Sequence, residues 1–149
     1  MSTLRPDLLI QDTNGHPIAV IEVQSRTNMS SDVATEIRRS ILSRGLTTHV
    51  PYFLLLSQDK GFLWMDAQSN SFDNAPNYEF PMNGVVGRYS KRNPEQRLYQ
   101  TELELLILQW LTNLSSKPQQ VNEEPERTLE LTGFNDSIKD AMVLIEEDL

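Results

Sequence analysis

Short apolar runs separated by turn-forming residues fill the first half of the chain. The runs Leu8–Ile10, Ile18–Val23 and Tyr52–Leu56 are each too short for a helix and rich enough in large apolar residues for strands. A fourth run, Phe62–Met65, follows the turn-like sequence Gln-Asp-Lys-Gly. The pattern predicts four buried strands before residue 66.

Asn14 and Gly15 lie between the first two apolar runs, and Asn-Gly is the strongest short-range signal for a two-residue hairpin turn. Strands over roughly Asp7–Asp12 and Pro17–Gln24 are therefore predicted. With this turn Thr13 faces His16, and Asp7 lies directly opposite Glu22. Gln24, two residues beyond Glu22, points to the same face of the sheet.

A helix is predicted after this hairpin, capped by Ser30 or Ser31, because apolar residues then recur every four positions. Its buried stripe is formed by Val33, Ile37 and Ile41, and three arginines, at positions 38, 39 and 44, lie off that stripe. Such a helix can act as a crossover between parallel strands. We therefore expect an α/β fold with a mixed central sheet flanked by helices.

Residues 67–97 show no periodicity and are predicted to be a long irregular connection. A second helix begins near Asn93 or at Thr101, which forms a capping-box pattern with Glu104. Its apolar stripe, which should pack on the sheet, comprises Leu103, Leu106, Ile107, Trp110, Leu111 and Leu114. Residues 1–114 are thus interpreted as a core domain and residues 115–127 as a polar linker. An acidic segment, 128–149, is expected to pack on the same domain with a short helix around Asn135–Lys139 and a strand around Met142–Ile145.

The chain has 149 residues and a formal net charge of −8, which argues against a protein that coats nucleic acid nonspecifically. The acidic excess is concentrated after residue 122, and the rest is close to neutral. There is no cysteine, which excludes disulfides and thiolate metal sites and is compatible with the cytoplasm, the compartment we expect. Neither a signal peptide nor a membrane-spanning run is recognisable.

The two facing carboxylates, Asp7 and Glu22, repel each other unless a cation lies between them. Mg²⁺ is held in proteins by one or two carboxylates together with water and substrate phosphate. The hairpin therefore indicates a metal site and, with it, phosphodiester chemistry.

Pro6-Asp7 on one strand and Glu22-Val23-Gln24 at the end of the next, followed by a helix and a strand, resemble the PD-(D/E)xK nuclease superfamily over roughly residues 5–66. The later segments 76–79 and 102–111 resemble a compact prokaryotic branch of it, common in cyanobacteria. The resemblance implies a restriction-endonuclease-like core in which Asp7, Glu22 and the backbone carbonyl of Val23 bind Mg²⁺ or Mn²⁺. The lysine that orients water in that superfamily is replaced here by Gln24, as in a few of its restriction enzymes.

Weaker candidates surround this motif. Arg26, Arg38 and Arg39 are able to contact phosphates, although an ordinary solvated helix face is the slightly favoured interpretation. Glu36, on the predicted helix, is a candidate for an additional metal ligand or for a residue that supports one. A solvated side chain in the first turn of the helix is the favoured interpretation. Neither His16, in the turn, nor His49, in a loop, is well placed to act as a base.

Two functions follow from the sequence. In the first, a Mg²⁺-dependent nuclease-like domain cleaves nucleic acid, with DNA as the candidate substrate and Asp7, Glu22 and Gln24 as catalytic residues. In the second, the fold has lost catalysis and serves as a binding or assembly module, as a homodimer in one version. The superfamily core usually has further elements before the aspartate strand. Either the C-terminal segment or a second subunit is therefore expected to cover that edge of the sheet, or the site is incomplete.

Overall fold

In the computed structural model of the protein, residues 6–44, 50–65, 74–90, 96–116 and 123–145 are described. The strands are β1 (Leu8–Gln11), β2 (Pro17–Gln24), β3 (Tyr52–Ser57), β4 (Lys60–Met65), β5 (Tyr78–Pro81) and β6 (Met142–Ile145). The helices are α1 (Ser31–Ser43), α2 (Asn83–Tyr89), α3 (Gln100–Ser116), α4 (Glu126–Leu131) and α5 (Phe134–Ser137).

The strands form one sheet in the order β5-β4-β3-β2-β1-β6. Strands β2 and β3 are parallel and are joined by α1, whereas every other neighbouring pair is antiparallel. The predicted α/β class with a mixed central sheet is therefore confirmed. The outer edge of β1 is covered by β6, from the C-terminal segment of the same chain, so a second subunit is not needed there.

The turn of the first hairpin is not the predicted two-residue turn. The backbone N–H of Asp12 donates to the His16 carbonyl at 2.9 Å, so three residues lie inside the closing pair. Gly15 adopts φ +82°, as expected for the last residue of a three-residue hairpin loop. The Asp12 carboxylate accepts the backbone N–H groups of His16 and Asn14 at 2.9 and 2.8 Å, and the bond from His16 holds the pKa of Asp12 below its usual value.

A second irregularity restores the register that the longer loop would have shifted. Gln11 pairs with Pro17, but the pairing then shifts between Ile10 and Gln11, so that Ile10 pairs with Ala19. Ile18 is the extra residue of this bulge. Beyond the bulge, Leu8 pairs with Ile21 in the predicted register. The predicted strand register is therefore right, although the predicted turn is wrong.

Each face of the sheet carries its own hydrophobic core. On one face, strand residues such as Ile21 and Leu54 pack with α3 and with Leu129, Phe134 and Ile138 of the C-terminal segment. On the other face, Val20, Phe53, Leu55, Phe62 and Trp64 pack with α1. The C-terminal segment is thus part of the main core, and it contains the predicted short helix, as α5, and the predicted strand, as β6.

Helix α1 begins after Ser30, whose side chain accepts the Val33 N–H at 3.2 Å, as predicted. Its buried residues are Ala34, Arg38 and Ile41, so the buried stripe is rotated relative to the prediction and includes an arginine. Arg38 is 7% exposed, and its guanidinium lies over the rings of Phe53 and Trp64 at 5.6 and 5.3 Å. Neither the predicted phosphate contact nor a solvated helix face describes this residue.

The second half of the chain is more regular than expected. Within the predicted irregular connection lie β5 and α2. Helix α3 begins earlier than Thr101, and the side chain of Glu102 reaches back over its first turn and accepts the Tyr99 N–H at 3.3 Å. All six predicted stripe residues of α3 are buried. Both ends of the predicted linker, at Ser115–Ser116 and Glu126–Arg127, are helical.

In the ranges that the structure describes, none of the helices is long and apolar enough to cross a membrane.

Replacing Arg38 with methionine should leave the protein at least as stable as wild type. Burial lowers the pKa of Arg38, and its Nε and Nη1 atoms are buried and make no hydrogen bond to the residues that the structure describes. Such N–H groups cost about 1–3 kcal/mol, comparable with the ~2 kcal/mol of a desolvated cation–π contact. We expect Arg38→Met to raise the free energy of unfolding in urea by about 0–2 kcal/mol.

The matched control is Arg127→Met, on the exposed face of α4. A loss of more than about 1 kcal/mol in Arg38→Met alone would mean that the cation–π contacts outweigh the burial cost.

Candidate functional site

Asp7 and Glu22 lie at the end of β1–β2 where β2 terminates. Leu8 pairs with Ile21, so the same register extended by one residue places Asp7 opposite Glu22. Glu22 is 7% exposed, whereas Asp7 is half-buried. The structure therefore brings the two predicted carboxylates to one place, at the carboxyl end of a parallel strand, where α/β sheets usually bind ligands.

The hydrogen-bonded pairing between β1 and β2 ends at this point because of a proline. The same register would place Pro6 opposite Val23, and proline has no N–H to donate. Two side chains bond the Val23 peptide groups instead: Asp7 Oδ2 accepts its N–H at 2.8 Å, and Gln100 Nε2 donates to its carbonyl at 2.7 Å. Val23 is 1% exposed, so unbonded peptide groups there would be costly.

Gln24 is held between these contacts. Gln100 Oε1 also accepts the backbone N–H of Ser25 at 2.9 Å, so one side-chain amide bonds the backbone on both sides of Gln24. The Gln24 carbonyl accepts the N–H of Arg26 at 2.9 Å, which turns the chain away from the sheet. The Gln24 side chain is half-buried and makes no hydrogen bond within the described part of the chain.

Residues 96–100, which we call the clamp segment, pass alongside the ends of β2 and β3. The buried Gln58, just after β3, donates through Nε2 to the Gln96 carbonyl and accepts the Leu98 N–H at 2.7 Å. Ser25 Oγ donates to the Leu98 carbonyl. The side-chain amides of Gln58 and Gln100 thus make backbone hydrogen bonds of the kind that a neighbouring strand would make. These bonds fix the clamp segment against the ends of β2 and β3.

The other predicted site residues are more scattered. Arg26 is exposed just beyond β2, whereas Glu36 and Arg39 are exposed on α1. His16 pairs with Asp12 at 3.3 Å in the turn, at the far end of the hairpin from Asp7. His49 lies outside the described residues.

Gln100 and the rest of the clamp segment were missed by sequence reasoning. Gln100 and Ser25 are 75 residues apart, and a glutamine at the first position of a helix has no special pattern. One signal was present: Pro6 at the start of a strand leaves an unpaired carbonyl on the neighbouring strand, which some donor must satisfy.

The donor set at this site suits a hard cation. Carboxylate oxygens of Asp7 and Glu22 with water and phosphate would match the usual Mg²⁺ environment. Within the described residues there is no cluster of three or more His, Cys, Asp or Glu that would hold a metal by itself. The Val23 carbonyl already accepts a bond from Gln100, so only its second lone pair remains for a metal.

No protein-family model, curated protein or solved structure matches the chain.

Replacing Gln100 with alanine should lower the free energy of unfolding by about 1–3 kcal/mol, because the buried Val23 carbonyl would lose its donor. Gln100→Glu is the sharper variant, since a carboxylate can accept from Ser25 but cannot donate to Val23. Protonation restores the donor, so this variant should have a raised carboxyl pKa in the folded state. Its stability deficit, measured in urea, should shrink as pH falls and grow as pH rises through that pKa.

Wild-type stability of Gln100→Glu at neutral pH would show that the bond to Val23 contributes nothing.

Proposed function

We propose that this protein is a metal-dependent nuclease-like domain that hydrolyses phosphodiester bonds of nucleic acid. The observation that carries the proposal is the pairing of Asp7 with Glu22, a 7% exposed carboxylate, at the carboxyl end of β2. The order Asp, then Glu-x-Gln, on antiparallel strands followed by a crossover helix supports it through the resemblance to the PD-(D/E)xK superfamily. The sequence alone predicted this arrangement of two strands and a crossover helix.

In this proposal Asp7 and Glu22 hold Mg²⁺ or Mn²⁺, and the Val23 carbonyl contributes only if it shares its bond with Gln100. The ion, when bound, lowers the pKa of water and stabilises charge on the phosphate. Gln24 orients the attacking water by hydrogen bonding, from a backbone that Gln100 fixes. Water oxygen bonds to phosphorus as one ester bond breaks, which leaves a phosphomonoester and an alcohol.

A second candidate is a module of the same fold that binds without catalysis. The bond from Gln100 to the Val23 carbonyl favours it, because this donor occupies an atom that the superfamily uses for metal. The neutral Gln24 also leaves the motif without its usual cation. A homodimer is not needed to cover the edge of β1, because β6 of the same chain covers it. Metal binding separates the two candidates.

Calorimetric titration with Mg²⁺ and with Mn²⁺ should give saturable binding to wild type, and no binding to the Asp7→Asn, Glu22→Gln double variant. The neutral amides keep the size of both side chains but remove the charge that attracts the ion. A matched control is Glu130→Gln, Asp136→Asn, which removes two exposed carboxylates from α4 and α5.

Equal binding by both double variants would place the metal elsewhere. If wild type binds no metal even with an oligonucleotide present, the non-catalytic module becomes the better description.

Cleavage of single- and double-stranded DNA and RNA in the presence of Mg²⁺ or Mn²⁺ is the direct test. Glu22→Gln should reduce the rate by about 100-fold or more, as the loss of one preorganised electrostatic group does in other enzymes. Circular dichroism and urea unfolding should show that the variant folds. Cleavage at the wild-type rate would make the assignment of Glu22 wrong.

A further inference from the structure

The Glu-x-Gln motif lacks a positive charge where the proposed reaction needs one. Hydrolysis of a phosphodiester passes through a transition state with added negative charge, which preorganised cations and hydrogen-bond donors stabilise. Gln24 can donate a hydrogen bond but carries no charge. A positively charged side chain that contacts the phosphate beside the metal would therefore have to come from outside the motif.

Arg97, in the clamp segment, is fixed to the backbone just beyond the motif. Its Nε donates to the carbonyl of Ser25 at 2.9 Å, and its Nη2 donates to the same oxygen. Ser25 directly follows Gln24, so this bond fixes a guanidinium one residue beyond the motif. Arg97 itself is exposed, and no other hydrogen bond or ion pair of its guanidinium lies within the described residues. Three of its five N–H groups thus remain for an anion.

The other arginines of the region are less suitable. Arg38 is buried under α1 against two aromatic rings. Arg39 is exposed on the helix itself, and no described contact fixes the side chain of Arg26. Preorganised groups contribute more to transition-state stabilisation than mobile ones, because no ordering cost remains at the moment of reaction.

We infer that Arg97 is the phosphate-binding cation of the site and supplies from the clamp segment the charge that Gln24 lacks. This inference rests on the proposed function. The ligand chemistry it implies is a nucleic-acid phosphate lying across the end of β2, between the clamp segment and the carboxylates. Gln58 and Gln100 act as positioning residues, since they hold the segment that carries Arg97.

Two substitutions separate charge from structure. Arg97→Gln keeps a side chain that can donate to the Ser25 carbonyl but removes the charge, whereas Arg97→Lys keeps the charge. Arg127→Gln, on the exposed face of α4, is the control for the loss of one positive charge. Urea unfolding establishes that all variants fold.

The first readout is binding of a fluorescent oligonucleotide in EDTA, without metal, at several salt concentrations. Arg97→Gln should bind more weakly, and the slope of log K against log salt should fall by about 0.9 for duplex or about 0.7 for single strands, as for one lost phosphate contact. Arg97→Lys and Arg127→Gln should keep the wild-type slope. An unchanged slope in Arg97→Gln would overturn the inference.

The second readout is cleavage with Mg²⁺ by Arg97→Gln and by the double variant Arg97→Gln, Gln24→Lys. A lysine at position 24 should restore the cleavage that Arg97→Gln loses, because it returns the charge to the motif. A purely structural role of Arg97 would not be rescued in this way, so absence of rescue overturns the inference.

Failure of the proposed function gives a different result. In that case wild type neither binds metal nor cleaves any of the nucleic acids, and both proposals fall together. If wild type cleaves and Arg97→Gln cleaves at the same rate, the nuclease proposal stands and only the role of Arg97 is wrong.

Discussion

The peptide groups of Val23 set the constraint on which the candidate site depends. Val23, on β2, is 1% exposed, so its backbone N–H and carbonyl must both be hydrogen-bonded. The neighbouring segment before β1 presents Pro6 at the facing position, and proline has no N–H to donate. Asp7 and Gln100 make the two bonds from their side chains. Because these partners come from different parts of the chain, bonding the backbone N–H and carbonyl of this one residue also draws a carboxylate and the start of α3 to the end of β2.

Strands β1 to β4 could be derived from the sequence because their signals are local. Apolar runs of strand length, the Ser30 cap and a helix of crossover length together predict β2, α1 and β3 and their parallel pairing. The predicted register near Glu22 was also right, but through two opposing irregularities. A loop one residue longer than expected was compensated by the bulge at Ile18. Turn chemistry alone does not reveal such compensation.

The candidate site could be derived only in part. Asp7 and Glu22 are close in the hairpin, and their pairing follows from its register. The contacts of Gln58 and Gln100 join residues 38 to 77 positions apart, and no periodicity encodes them. Arg38 was missed for another reason: aromatic rings on neighbouring strands accept a cation, so the burial of an arginine depends on the packing of the whole face.

The bulge at Ile18 has a consequence for how this hairpin can change in length. The longer turn alone would place Glu22 opposite Pro6 instead of Asp7, and the bulge cancels that displacement before the strands reach the carboxylates. Insertions and deletions in the first hairpin are therefore tolerated only in compensating pairs, one in the turn and one in the strand. A homologous chain that retains the carboxylate pair should have either both irregularities or neither.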